Sequence, residues 1–269
     1  MKYEIDTIPV WDALKAQTEC PLCLLEKRSR LAAVRYFLGP SVMVPEVRVT
    51  VNETGFCPEN LRLMAKDPNK LGLALLGHTR LKALRAKIAQ GSRSLRSAAE
   101  KAASGTLAGL KSHGSLKNSL STFADFLRDE ETSCLIEDKV TEDRNRYAFT
   151  LVHLWARDQD FRRAWSSGRG TCLRHAPDLL QMAAETLGAT DLGPFTAEYL
   201  ELMDRNLARV EQDVLAFTQT YDSTGSHALA GRPEGALDRC LQKLPGTFPE
   251  YEDESKARKG PLMGGVSGG

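Results

Sequence analysis

Moved along itself by 114 residues, the sequence meets its own cysteines. Cys20 falls on Cys134 and Cys23 on Glu137, while "VPEVR" at 44–48 falls on "DQDFR" at 158–162. One inserted residue later, "GFCPEN" at 55–60 falls on "GTCLRH" at 170–175. Cys57 therefore meets Cys172, and Asn60 meets His175. Three matches in one order at a nearly constant offset point to a duplication. Such a chain is expected to build two related units, which restricts its architecture more than any single motif does.

Each half carries helical rather than strand periodicity. Residues 70–103 are rich in Leu, Ala, Lys and Arg, with Leu73, Leu76, Leu81, Leu84 and Ile88 at three- and four-residue spacing. Residues 194–220 repeat the pattern with Phe195, Tyr199, Leu202, Met203, Leu207, Val210, Val214 and Phe217. Only "EVRVTV" at 46–51 alternates in the manner of a strand. Loops are expected at "GPS" (39–41), "KSHGS" (111–115), "SSGRG" (166–170) and "STGSHALAGRPEG" (223–235). The expected fold is all-α: two tandem helical units related by a pseudo-twofold, with long amphipathic helices. The first unit is placed at 1–122 and the second at 123–246, with a hinge near 104–115 and a disordered, Gly-rich tail at 247–269.

The repeat carries chemistry. The inferred ancestral unit is Cys-x-x-Cys, about 33 residues, then Gly-x-Cys-x-x-His. Thiolates with one imidazole are a common ligand set for structural zinc. A Cys-x-x-Cys at a helix start points two sulfurs the same way, and Cys-x-x-His at a helix start supplies a second pair. The glycine ahead of each second pair suits a sharp turn into a helix whose N-terminal dipole favours thiolates. Read along the chain, the first cluster is Cys20, Cys23, Cys57 and Asn60, with His78 or water as other fourth ligands. The second is Cys134, Glu137, Cys172 and His175, which would also suit iron or manganese. Packing of the two copies around a pseudo-twofold would instead let residues of both share one site. Buried, metal-free cysteines and a redox pair at "CPLC" are the competing readings.

The doubled "CPLC … NETGFCPEN … SCLIE … YAFTLVHLWARDQDFRRAW … GTCLRH" arrangement resembles an uncharacterised family of bacterial, often anaerobe-derived, helical proteins. In that family CPxC and GFCxxH elements recur in each half. The resemblance covers roughly residues 1–245 and implies a cytoplasmic helical protein with metal-binding positions and no established activity. The chain departs from the family pattern at Asn60, where His is frequent, and at Glu137, where Cys is frequent.

Other features narrow the function. A formal net charge of +1 leaves no whole-molecule field, so attraction to nucleic acid or membrane needs a local patch. Nine Lys/Arg against the single acid Glu100 between Arg80 and Lys117 form one, without aromatic interleaving. It reads as a solvated helix face, with nucleic-acid binding as the alternative. The longest apolar run, "LGLALLGH" at 71–78, is too short to cross a bilayer, and the N-terminus lacks an apolar signal region. A cytoplasmic location is expected, where paired cysteines bind metal or react rather than form structural disulfides. His153 and Cys240 read as core positions, and His113 and His227 as loop residues. No phosphate loop, nucleophile elbow or His-Glu-x-x-His is present, so no catalytic residue is assigned. The leading expectation is a zinc-binding helical protein whose surface meets a protein partner. A metal- or redox-handling protein, or an enzyme, with an open three-thiolate site is the alternative.

Overall fold

The structure, a computed structural model, describes residues 4–16, 18–103, 107–219, 234–244 and 246. Its helices are α1 (Glu4–Lys15), α2 (Pro21–Leu38), α3 (Pro45–Glu53), α4 (Pro58–Met64), α5 (Lys70–Ala103) and α6 (Leu107–Thr132). They continue with α7 (Leu135–Arg157), α8 (Gln159–Ser166), α9 (Ala176–Thr186), α10 (Ala189–Gln219) and α11 (Ala236–Lys243). A 3-10 turn spans Pro40–Met43. The described residues contain no strand, so the all-α expectation holds. None of the described helices is long and apolar enough to cross a membrane.

Helix starts follow local chemistry. Proline occupies the first turn of α3, α4 and α9, where its missing N–H costs nothing. Asp158 caps α8 by accepting from the N–H groups of Asp160 and Phe161 at 2.9 and 3.0 Å. α2 and α7 open 114 residues apart, and so do α3 and α8.

The chain divides into two compact units. One takes residues 1–25 and 145–269, the other 26–144. These units differ from the expected tandem halves at 1–122 and 123–246, because each draws its helices from both halves. In the first unit α10 supplies Phe195, Tyr199, Leu202 and Val210 to a buried stripe. Trp155 meets Phe195 edge-on at 5.0 Å, and Trp165 stacks on Tyr199 at 6.3 Å. In the second unit Val34, Leu38, Val51, Met64, Leu76, Ile136 and Val140 form the core.

Several local expectations change. "EVRVTV" lies in α3, where Val47 and Val51, four apart, face the core and Val49 is exposed. Burial of one helical face, with Pro45 starting the turn, outweighs the β preference of valine. "KSHGS" continues inside α6, and a Cβ at Gly114 would meet nothing within 4 Å. An isolated glycine costs a helix only about 1 kcal/mol, so it did not break this one. Leu81 leaves the apolar stripe of α5 and is exposed. Residues 104–106 of the hinge, most of 223–235 with His227, and the tail from 247 lie outside the described residues.

Candidate metal centre

In the first unit two helix starts meet. Cys20 precedes α2 and its carbonyl accepts from Leu24 N–H, while Cys23 stands in the first turn. The other turn begins at Gly170, whose φ of 66° opens the path into Cys172–His175. There the Cys172 carbonyl accepts from the N–H groups of His175 and Ala176, at 3.1 and 3.0 Å, and His175 becomes the residue before α9. The four side chains are all buried.

Their ligand atoms converge. His175 Nδ1 lies 3.4 Å from Cys20 Sγ, 3.3 Å from Cys23 Sγ and 3.3 Å from Cys172 Sγ. Cys23 and Cys172 sulfurs are 3.5 Å apart, and all four atoms fall within 4.8 Å of one another. A tetrahedron with metal–sulfur bonds of about 2.3 Å has edges of about 3.8 Å, a few tenths of an ångström longer than the 3.3–3.5 Å contacts here. The thiols hold protons unequally. Hydrogen bonds from Cys20 and Cys23, against burial and with help from His175, hold Cys172 far below the usual thiol range. Hydrogen bonding to Cys172 and Cys20, together with burial, pushes Cys23 far above it. A soft cation binds thiolates in place of such protons.

The surroundings hold both turns. Lys243, buried at the end of α11, donates to the carbonyls of Glu19, Arg169 and Thr171. It thus ties the backbone ahead of Cys20 to the backbone ahead of Cys172. Burial pulls its pKa down, against the raising effect of Glu19. The buried Glu19 carboxylate pairs with Arg169 and Arg209 as well. Gly246, at φ 71°, accepts from Cys23 Sγ at 3.4 Å through its carbonyl. A Cβ there would stand 2.8 Å from Cys172 Sγ.

The second unit holds the remaining candidates. Cys57 precedes α4, Asn60 lies in its first turn, Cys134 precedes α7 and Glu137 lies in the first turn of α7. Gly55, at φ 83°, plays the part of Gly170, and its carbonyl accepts from Leu135 N–H at 3.1 Å. Asn60 Nδ2 lies 3.2 Å from Cys57 Sγ, 3.2 Å from Cys134 Sγ and 2.8 Å from Glu137 Oε1. Arg30 donates to Asn60 Oδ1 at 3.0 Å and pairs with both oxygens of Glu137. Burial raises the Cys57 pKa, and hydrogen bonding with Cys134 adds to it against the Asn60 amide.

Residues 1–251 match DUF6062, a family of unknown function. The chain belongs to that family. No curated protein and no solved structure matches it. In this DUF6062 chain the clusters expected along the sequence exchange their halves. Cys20 and Cys23 gather with Cys172 and His175, not with Cys57 and Asn60. Cys134 and Glu137 gather instead with Cys57 and Asn60. Spacing along the chain decides which ligands share a helix start, but packing decides which two starts meet.

Among the described residues of this DUF6062 chain, one group of three or more Cys, His, Asp or Glu side chains is arranged to share an ion, and it is the Cys3His set. His78 is exposed on α5, and His153 is exposed and stacks on Phe149 at 5.9 Å. Cys240 is half-buried. Sequence reasoning missed Arg30, Lys243 and Gly246. Only "LPG" at 244–246, which signals a turn, hinted at the last.

Proposed function

We propose that this protein binds one structural zinc ion on Cys20, Cys23, Cys172 and His175. The observation that carries the reading is the convergence of four fully buried ligand atoms, three sulfurs and one imidazole nitrogen, within 4.8 Å. The chemistry of the set favours zinc, since borderline-soft zinc takes thiolate and imidazole together in tetrahedral sites. Four protein ligands leave no open coordination position, which supports structure over catalysis. The role of the ion is to tie the start of α2 to the start of α9, two segments about 150 residues apart in the chain. A partner-binding role for the surface, in a cytoplasmic setting, completes the proposal.

Nucleic-acid binding through residues 80–117 gains less support. Arg80 and Lys87 both pair with Glu130 of α6, which leaves fewer cations for phosphate.

The test is metal content and melting. Purified protein should carry one zinc per chain, and Cys172→Ser should lose it and melt about 10 °C lower, as expected for a loss on the order of 4 kcal/mol. A protein that takes up no zinc under saturating conditions, or a Cys172→Ser variant with unchanged content and melting, would sink the reading.

A further inference from the structure

The second cysteine cluster has the parts of the first, with other side chains at two of the four places. Shifted by the repeat, Cys57 stands for Cys172, Cys134 for Cys20, Asn60 for His175 and Glu137 for Cys23. Each pair opens a helix, and each Cys-x-x-Asn or Cys-x-x-His turn follows a glycine with positive φ. The centre of the second cluster is taken by protein atoms. Asn60 Nδ2 faces two sulfurs and a carboxylate oxygen at 2.8–3.2 Å, and it carries the partial positive charge of an amide donor. Its carbonyl oxygen points back to Arg30, whose guanidinium also clamps Glu137.

We infer that the Cys57, Asn60, Cys134 and Glu137 cluster is a second ligand cradle in which the Asn60 amide and the Arg30 guanidinium occupy the place of the cation. The chain then binds one metal ion and not two. The inference rests on the reading of the first cluster as a zinc centre. Charge supports it. Arg30 neutralises Glu137, so two cysteines, an amide and an ion pair need no metal to be stable in the protein. In the first cluster Lys243 donates to backbone carbonyls, and Arg174 meets His175 at Nε2, so Nδ1 and the three sulfurs are left facing one another. Where the first cluster has His175, Asn60 offers no imidazole nitrogen. Where it has Cys23, Glu137 supplies a carboxylate that a planar guanidinium grips with two bonds.

The experiment counts zinc ions retained per chain after saturation and desalting. Three full-length proteins are compared: the wild type, Cys57→Ser/Cys134→Ser, and Arg30→Leu/Asn60→His/Glu137→Cys. The expected counts are one, one and two. Cobalt(II) substitution should double the thiolate-to-metal absorption of the triple variant relative to wild type. Two ions in the wild type, or a folded triple variant that still binds one, overturns the inference while leaving the zinc reading intact. No ion in the wild type but one in the triple variant defeats the zinc reading and upholds the second cradle. Should the triple variant fail to fold, the Cys57→Ser/Cys134→Ser protein decides. Retention of its single ion supports the inference, and loss overturns it.

Discussion

Lys243 and Arg30 are both buried cations set beside a pair of cysteine-bearing helix starts, yet they are aimed differently. Lys243 reaches the backbone behind the ligand turns, where three carbonyls receive it. Arg30 reaches the side chains of the ligand positions themselves. In the first case the nearest guanidinium, Arg174, meets His175 at Nε2, 3.3 Å away, and not at the Nδ1 that faces the sulfurs. In the second, the protein supplies the cation. On the proposed reading, the aim of the buried positive charge separates a cradle that takes a metal from one that is complete without it.

The sharpest way to break this contrast is to remove each cation in turn. Lys243→Met leaves three buried carbonyls without their donor and takes one cation from Glu19, which keeps Arg169 and Arg209. The expected cost is about 3 kcal/mol, with a fall in metal affinity of roughly 10- to 100-fold, the scale typical of groups that support metal ligands. Arg30→Met should also destabilise the fold but leave zinc content at the wild-type value. Chelator competition read alongside thermal melting distinguishes the two. Equal loss of zinc from both variants would show that the cations do not serve different purposes.

A smaller effect is expected at the glycines. Gly246→Ala places a methyl 2.8 Å from Cys172 Sγ at a φ of 71°, so both backbone strain and the sulfur positions suffer. Gly55→Ala meets only the guanidinium end of Arg80 at a φ of 83°. Each should cost about 1–2 kcal/mol from the left-handed backbone alone. Only Gly246→Ala should also weaken zinc binding, as read by the rate of metal release to a chromogenic chelator. Unchanged release from Gly246→Ala would mean that its carbonyl and close approach do not shape the cradle.

Much of this contrast was legible in the residue types and little of it in their partners. Cys-x-x-Cys and Cys-x-x-His state their chemistry locally, because three-residue spacing at a helix start places both side chains on one side. Helix periodicity likewise announced α5 and α10. Which starts would meet was decided by packing far along the chain, as where Cys23 reaches Cys172. Arg30 carried no signal because it lies in the charged run "EKRSR" at 26–30 and arginines are mostly exposed, although Arg30 is buried. Lys243 was hidden in the same way, since a lysine at a helix end is normally at the surface. The alternating valines of α3 misled for a related reason: local preference is weak against the burial of one face.

The smallest expected effect concerns the carboxylate that distinguishes the second cradle. Burial and the nearby Glu26 act to raise the Glu137 pKa, but hydrogen bonds and charge from Arg30, with a bond from Asn60, hold it below the ordinary value of 4.5. A carboxylate lowered in the folded state stabilises the protein above the unfolded value, and that contribution is lost as pH falls through the folded one. Glu137→Gln should therefore be less stable than wild type at pH 7, with the gap closing below about pH 4.5 as Glu137 takes up its proton. The gap should be modest, because the side chain is 39% exposed and water screens the pair. Urea midpoints of both proteins between pH 7 and pH 3 measure it, with zinc content followed at neutral pH. A gap that widens in acid would mean that Glu137 is not held as a carboxylate by Arg30. The cation in the second cradle would then lack the anion that keeps it there.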